Sequence, residues 1–232
     1  MPRRVVLIPC TEDRENQLRV LLPALKAREP PTTEFYVCQP STLYPFDRGM
    51  TINVAFTASK AHGDDVVVVH DVDTVPIEAF PDGYPSPVGN REILHLYGHP
   101  HSCGGIITMT AACFERMGGF DSNPAWGGED TAMQNRAPNL GVVVNKTHCV
   151  PRFHANMFNE LDADANPVPN DLAHRVWEKE MFGPRSRLRQ RGKFIPDLYS
   201  KGALARRRGI QVFATTMLED RVQCVHCAIE KL

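Results

Sequence analysis

The residues best suited to chemistry lie in two acidic stretches of this 232-residue chain. The first follows the valine run Val66–Val69 and contains Asp71 and Asp73. Four consecutive valines predict a strand that is buried on both faces. Because side chains alternate along an extended chain, two carboxylates two residues apart can point to the same side. Such a pair is typical of a site for a divalent cation that itself holds phosphate, whereas a single aspartate after a strand is more often a turn or cap residue.

The second stretch runs from Gly118 to Asp130 and combines glycines, Trp126 and the adjacent acids Glu129 and Asp130. Acids favour the first turn of a helix because of the helix dipole, and this effect alone accounts for the pair. The same field keeps a carboxylate ionised, which is the state a general base needs to accept a proton from a sugar hydroxyl. Trp126 can stack on a sugar face or pack in the core. Glycines here allow the backbone to approach a ligand closely.

Elements that would position these residues alternate along the chain. Strands predicted over Val5–Pro9, Glu34–Cys38 and Val66–Val69 alternate with two helices, and Gly63 is predicted to cap the second of these. This alternation indicates an α/β fold, with helices flanking a mostly parallel sheet. Ligands of such sheets bind at the carboxyl ends of the strands, where Asp71 and Asp73 lie. Later elements are predicted as strands over Glu92–Tyr97, Gly105–Thr110 and Gly141–Asn145, and as helices after Thr110, over Glu129–Ala137 and after Asn170.

The composition is that of an ordinary soluble globular protein. Hydrophobic residues make up 42% and charged residues 23%, and the net charge is −1. No global field therefore favours a nucleic-acid partner. The seven cysteines are scattered and odd in number, which favours a reducing compartment over a disulfide framework. A zinc site at Cys224, His226 and Cys227 is an alternative, although the spacing fits no common zinc pattern.

No apolar stretch has the length of a signal peptide or a membrane span, so the expected location is cytoplasmic. We predict one catalytic domain over residues 1–182, a basic insertion or linker over 183–209, and a C-terminal strand segment over 210–232 packed on the same domain. The basic segment 185–208 is either a solvated face or a contact for an anionic polymer or a membrane surface. It has too few aromatic residues to stack nucleic-acid bases.

Several motifs occur in the order of one known family. Phe46–Phe56 is similar to that family's F-N-R-A-x-x-x-N-V-G-F segment, and His70–Asp73 matches its D-V-D motif. Pro124–Thr131 resembles its W-G-W-G-G-E-D-D motif, and Arg152–His154 resembles the stretch that holds its metal-binding histidine. The chain thus resembles the β-1,4-galactosyltransferase family, glycosyltransferase family 7, from about Val5 to Met181. The shared order is more specific than any single motif.

This resemblance implies a single domain of GT-A type, similar to other nucleotide-diphospho-sugar transferases. It implies inverting transfer of galactose or N-acetylgalactosamine from a UDP-sugar to a glycan or glycoside acceptor, with Mn²⁺ or Mg²⁺. In the carried-over roles, Asp73 and His154 bind the metal, Asp130 is the base and Glu129 contacts the sugar. The nucleotide-binding positions are Pro9, Arg14, Phe46, Arg48, Asp71 and Val72. The sugar- and acceptor-binding positions are Ser102, Gly104, Gly105, Trp126, Gly127 and Gly128.

The chain also departs from the family pattern. Pro124 replaces the first tryptophan of W-G-W-G, and Thr131 replaces the last aspartate of the motif. The third metal ligand falls on Pro151 or Arg152, neither of which can serve, so water, the diphosphate or His148 would have to replace it. Two alternatives therefore stay open: a nucleotidyltransferase that uses the same metal and phosphate site, and a degenerate sugar-binding protein without activity. At the position of an aromatic residue that limits the donor in some members stands Ser102, which predicts tolerance of a 2-acetamido group.

Overall fold

The structure, a computed structural model, describes residues 2–40, 46–122, 128–151, 157–169 and 210–229. Several predictions concern residues outside these ranges. They are the roles of Trp126, Gly127 and His154, the helix after Asn170 and the basic segment 185–208.

Within the described ranges, strands and helices alternate from Arg4 to His70 as the sequence predicts. The strands are β1 (Arg4–Pro9), β2 (Glu34–Pro40), β3 (Val66–His70), β4 (Thr74–Pro76), β5 (Glu92–Gly98), β6 (Ile106–Thr110), β7 (Val143–Asn145), β8 (Val150–Pro151), β9 (Phe158–Glu160), β10 (Ile210–Glu219) and β11 (Val222–Ile229). The helices are α1 (Glu15–Arg28), α2 (Arg48–Ser59), α3 (Ala111–Met117) and α4 (Glu129–Arg136). Short 3₁₀ turns occur at Glu12–Arg14 and Pro138–Leu140.

Most strands form one mixed sheet of nine strands, in the order β10-β11-β2-β1-β3-β6-β5-β7, with β8 also paired to β5. Its centre is parallel, because β1 pairs in parallel with β2 and β3, and β2 in parallel with β11. Strand β6 is antiparallel to both of its neighbours. Strands β4 and β9 form a separate antiparallel pair beside the main sheet. The predicted α/β fold with a mostly parallel sheet is confirmed.

The hydrophobic core covers both faces of this sheet, as the valine run predicts. Val67 and Val69 pack in a cluster with α2 and α3 on one face, whereas Val66 and Val68 pack with α1 on the other. The apolar stripe of α1 consists of the buried residues Leu18, Leu21, Leu22 and Leu25. A central strand with apolar side chains on both faces gives the residues that follow it a rigid base.

Two local features differ from the sequence predictions. The cap predicted at Gly63 is wrong, because α2 ends at Ser59 and Lys60 adopts the left-handed conformation with φ 53°. The Ser59 hydroxyl accepts a hydrogen bond from the Ala61 amide, which stabilises the earlier turn. In addition, the C-terminal segment forms an antiparallel hairpin, in which β10 precedes the predicted strand β11 and joins the sheet only through it.

Within the described ranges, none of the helices combines the length and the apolar composition needed to cross a bilayer. The longest, α1, has 14 residues.

Candidate active site

The candidate site lies at one edge of the sheet. Strands β1, β2 and β3 are parallel, so their carboxyl ends meet at the same edge. Pro9 ends β1, and the Asp71–Asp73 turn follows β3 directly. Val72 is buried between the two aspartates, which are partly exposed. The edge therefore presents two carboxylates beside the predicted uridine-binding residues.

Arg48 is the centre of the site and joins three separate parts of the chain. It is the first residue of α2, and the Asp47 carboxylate before it caps the helix by accepting from the Met50 amide at 2.9 Å. The guanidinium Nε of Arg48 donates to Asp71 Oδ1 at 2.8 Å, and its Nη1 donates to Asp130 Oδ1 at 2.6 Å. The same Nη1 lies 3.6 Å from Glu129 Oε1. The two acidic stretches thus meet at one arginine whose side chain is only 12% exposed.

The loop between β5 and β6 closes the site over the carboxylate of Asp130. A Cβ atom placed on Gly104 would lie 2.5 Å from Asp130 Oδ2 and 3.5 Å from Ser102 Oγ. Cys103 donates its amide hydrogen to the Asp130 carbonyl at 3.2 Å. Only glycine at position 104 allows this approach without a shift of the carboxylate. Gly104 therefore lies against the Asp130 carboxylate, and Ser102 lies close to Gly104 in the same loop.

Burial raises the pKa of both Glu129 and Asp130, and the positive charge of Arg48 opposes this rise. Burial, together with the negative charge of Asp130, raises the pKa of Glu129 to about 7, although Arg48 opposes the change. Burial also raises the pKa of Asp130, and there too the Arg48 charge opposes the rise. Burial disfavours the charged form of Arg48, but the three neighbouring carboxylates outweigh it and raise its pKa further. One permanent cation therefore faces three acids that are close to one another.

Asp73 has the chemistry of a ligand for a hard cation. Its Oδ2 accepts from Arg14 Nη1 at 2.8 Å, its side chain is 33% exposed, and its carbonyl accepts from the Leu161 amide at 2.8 Å. Carboxylate oxygens are the donors that Mn²⁺ and Mg²⁺ prefer. In the part of the chain that the structure describes, no three His, Cys, Asp or Glu side chains form a metal-binding group. His154, the second ligand that the resemblance implies, lies outside that part, as does the side chain of Cys227 in the alternative zinc site.

Two buried histidines support the backbone of the site, a role that sequence reasoning missed. His70 Nδ1 lies 2.8 Å from the Asp71 carbonyl and its Nε2 lies 2.8 Å from the Tyr84 hydroxyl. Because a carbonyl only accepts, Nδ1 carries the hydrogen and Nε2 accepts from the tyrosine. His95 Nε2 lies 3.0 Å from the Gly104 carbonyl. Burial lowers the pKa of each imidazole to about 4, so both are neutral donors at neutral pH.

The signal that could have revealed these histidines is their place inside apolar runs. His70 ends the valine strand, and His95 lies between Leu94 and Leu96 in β5. A histidine at such a position must find partners for its ring nitrogens in the fold.

A second set of polar contacts fixes the backbone just before residues 123–127. The Asn53 side chain bonds both the amide and the carbonyl of Phe120. Arg136 donates from Nη1 to both carboxylate oxygens of Asp121, at 2.8 and 2.9 Å, and from Nη2 to the Gly119 carbonyl. Helices α2 and α4 are thereby tied to the segment that leads toward Trp126.

The structure thus brings together most of the predicted site residues that it describes. Asp71, Glu129 and Asp130 lie around Arg48, Gly104 lies against Asp130, and Arg14 pairs with Asp73. The other predicted positions flank this group: Pro9 at the end of β1, Phe46 before α2, Val72 between the aspartates, Gly105 (φ 81°) before β6 and Gly128 (φ 101°) before α4.

Comparison with known proteins gives sequence relatives of one kind. Residues 92–159 match the family model described as N-terminal domain of galactosyltransferase. The chain is 32% identical to mouse β-1,4-galactosyltransferase 5 over 153 residues, and 28% identical to human β-1,4-galactosyltransferase 7 over 149 residues. These matches cover 61% and 60% of this chain, but only 39% and 45% of the relatives. The chain therefore spans less than half the length of these curated relatives.

The fold comparison agrees with the sequence matches. The Drosophila β-1,4-galactosyltransferase 7, solved as a mutant in complex with manganese, UDP-Gal and xylobiose, superposes with a TM-score of 0.70 at 20% identity. That alignment covers 100% of this chain and 96% of the solved one. At this identity the likeness shows the fold, which is the GT-A type. In the order of its motifs, its sequence relatives and its fold, the chain is similar to the β-1,4-galactosyltransferase family, glycosyltransferase family 7.

Proposed function

We propose that this chain is an inverting, metal-dependent glycosyltransferase. It moves a galactose-type sugar, galactose or N-acetylgalactosamine, from a UDP-sugar to the hydroxyl of an acceptor such as a glycan. The observation that carries the proposal is the meeting of Asp71, Asp130 and Arg48 at the carboxyl edge of the sheet, with bonds of 2.6 and 2.8 Å. It combines a group suited to hold a nucleotide with a group suited to take a proton.

Asp130 is the base in this proposal. The acceptor oxygen forms a bond to the anomeric carbon while its proton passes to the Asp130 carboxylate. The bond between that carbon and the diphosphate oxygen breaks on the opposite face, and UDP leaves with the electron pair. Gly104 lets the loop between β5 and β6 lie against the Asp130 carboxylate, and Ser102 Oγ adds a polar group in that loop. Burial raises the pKa of Glu129 to about 7, and in its protonated form this carboxyl is suited to donate a hydrogen bond to a sugar oxygen.

The charge on the departing diphosphate requires compensation. Arg14 and Arg48 lie at the same edge, and Arg48 Nη2 is a buried donor without a well-formed hydrogen bond, although it lies 2.7 Å from Asp71 Oδ1. It is therefore available to a ligand oxygen. Asp73, with His154 outside the described residues, would hold Mn²⁺ or Mg²⁺, which when bound supplies Lewis-acid neutralisation of the diphosphate. The solved relative that contains manganese and UDP-Gal supports this choice of ion and donor.

The direct test is an assay with Mn²⁺, UDP-galactose or UDP-N-acetylgalactosamine, and a panel of glycoside acceptors. We expect release of UDP together with a glycosylated acceptor. Release of pyrophosphate would identify a nucleotidyltransferase instead. Neither product, with an intact fold and retained UDP binding, would indicate a sugar-binding protein without activity.

The metal assignment has its own test in Asp73→Ala. We expect this variant to lose Mn²⁺-dependent UDP binding in calorimetry, because the diphosphate loses its counter-charge. Asp64→Ala is the matched control, since Asp64 is an exposed aspartate before the opposite end of β3. Equal Mn²⁺–UDP affinity in wild type and Asp73→Ala would remove Asp73 from the metal site.

A further inference from the structure

Two adjacent carboxylates, Glu129 and Asp130, lie near the same guanidinium, and a base requires that one of them be the ionised acceptor. We propose that Arg48 is a positioning residue that selects Asp130 over Glu129 as the base, through the hydrogen bond from its guanidinium. The inference rests on the proposed function, since it assigns a division of labour within that site. It goes beyond a nucleotide-binding role for Arg48.

The selection is geometric. Arg48 Nη1 lies 2.6 Å from Asp130 Oδ1 but 3.6 Å from Glu129 Oε1, so only the first distance is that of a hydrogen bond. A charge-assisted bond of this length favours the ionised form of its acceptor. The farther carboxyl, whose side chain is 6% exposed, receives only the weaker longer-range attraction. Burial therefore acts on Glu129 with less compensation than on Asp130.

The position of the guanidinium is itself fixed. Its other side is held by Asp71, with Nε bonded at 2.8 Å, and its carbon lies 5.7 Å from the centroid of the Phe120 ring. Phe120 is in turn fixed by Asn53 of α2, whose Nδ2 donates to the Phe120 carbonyl and whose Oδ1 accepts from the Phe120 amide. Arg48 therefore cannot move toward Glu129 without losing Asp71. A lysine could supply the charge at this place, but it lacks the rigid planar fork that holds Asp71 and Asp130 on different guanidinium nitrogens.

Within the described residues, the charged and titratable groups around Asp130 come from each element packed against it. They are Arg48 of α2, Asp71 after β3, Glu129 of α4 and Cys103 of the β5–β6 loop. Among these groups only Arg48 is a cation. Removing its charge should therefore raise the pH at which Asp130 ionises, because the remaining influences all disfavour the carboxylate.

The experiment reads the two carboxyl groups directly. Carbon-13 NMR of the side-chain carboxyls follows Asp130 and Glu129 through a pH titration, with assignment by Asp130→Asn and Glu129→Gln. In wild type we expect Asp130 to ionise at lower pH than Glu129. In Arg48→Gln we expect the Asp130 midpoint to rise by about one to three pH units, the usual effect of losing an adjacent opposite charge. The acidic limb of kcat at saturating donor should move with it.

Arg3→Gln is the matched control, because Arg3 pairs with Glu34 through Nε and Nη2 at the start of β1, the opposite end of that strand. It should leave the Asp130 midpoint unchanged. An unchanged Asp130 midpoint in folded Arg48→Gln would overturn the proposal. If Arg48→Gln does not fold, the titration of wild type is the test. Ionisation of Glu129 at lower pH than Asp130 in wild type would also overturn the proposal. Absence of sugar transfer in wild type would instead count against the proposed function and leave the titration result intact.

Discussion

Two arginines on neighbouring helices both bind aspartate, yet their surroundings differ in one respect. Arg136 of α4 meets a single carboxylate, Asp121, which accepts two hydrogen bonds from it, and the Gly119 carbonyl. Arg48 of α2 meets three acids, Asp71, Glu129 and Asp130. The two side chains are similarly buried, at 18% and 12% exposed. Their difference therefore lies in charge balance and not in depth.

A balanced pair and an unbalanced cluster have different consequences. In the Arg136 pair one cation neutralises one anion, so the two charges balance within the fold and the contact serves to hold the chain. In the Arg48 cluster the acids outnumber the cation, so burial raises the pKa of Glu129 and of Asp130. Such an arrangement costs stability unless a ligand or proton compensates for it, and perturbed acids of this kind gather at functional sites.

The difference between the Arg48 cluster and the Arg136 pair is tested most directly by removing one carboxylate charge from each. Asp130→Asn should lower the rate of sugar transfer by at least roughly a hundredfold, since the amide cannot accept the proton, while UDP-sugar affinity is retained. Steady-state kinetics and calorimetry on the same preparation measure both quantities. Turnover at the wild-type rate would exclude Asp130 as the base and make Glu129 the next candidate.

The second prediction concerns the balanced cluster. Asp121→Asn should lower the free energy of unfolding by about 2 kcal/mol, because it leaves the Arg136 guanidinium buried without its counter-charge. Urea unfolding followed by circular dichroism measures this. Arg19→Gln is the control, because its ion pair with Glu15 is exposed and should be worth less than about 0.5 kcal/mol. In folded protein, Asp121→Asn should reduce turnover far less than Asp130→Asn. The reverse order would show that the Arg136 cluster, and not the Arg48 cluster, contributes more to the reaction.

The Arg48 cluster also shows which features of the site could be predicted from the sequence and which could not. Asp71, Asp73, Glu129 and Asp130 were predictable, because strand alternation and acids at a helix start are local patterns. The resemblance added Arg48, but neither source could predict that one guanidinium contacts both acidic stretches, since 23 and 82 residues separate Arg48 from its aspartate partners.

The fold and the remaining contacts follow the same rule. Element types came from periodicity, whereas the end of α2 at Ser59 depends on a serine side chain that bonds the following turn. The support from His70 and His95 depends on Tyr84 and Gly104, which lie 14 and 9 residues farther along the chain. Contacts that form only in the folded chain leave no periodic signal in the sequence.

The smallest expected effect concerns the donor sugar and depends on Ser102. In galactose-using members a tyrosine occupies the equivalent position and crowds the space for a 2-acetamido group. Ser102 is only partly buried, and its Oγ would lie 3.5 Å from a Cβ on Gly104, whereas Asp130 Oδ2 would lie 2.5 Å from it. The hydroxyl is therefore close to the base, on the side of the site where the sugar would lie in our proposal. A pocket selects by what it excludes as well as by what it contacts.

We therefore expect wild type to use UDP-N-acetylgalactosamine at least as well as UDP-galactose. Ser102→Tyr should shift the ratio of the two kcat/KM values toward galactose by about tenfold, on the order of 1 kcal/mol of discrimination. Ser102→Ala is the matched control, because it removes the hydroxyl without adding bulk and should leave the ratio within about threefold. If position 102 selects the donor by steric exclusion, Ser102→Tyr should change the ratio of the two kcat/KM values and Ser102→Ala should not. A strong preference of wild type for galactose that neither substitution moves would show that Ser102 does not line the donor pocket, and that the selectivity of this site comes from other residues.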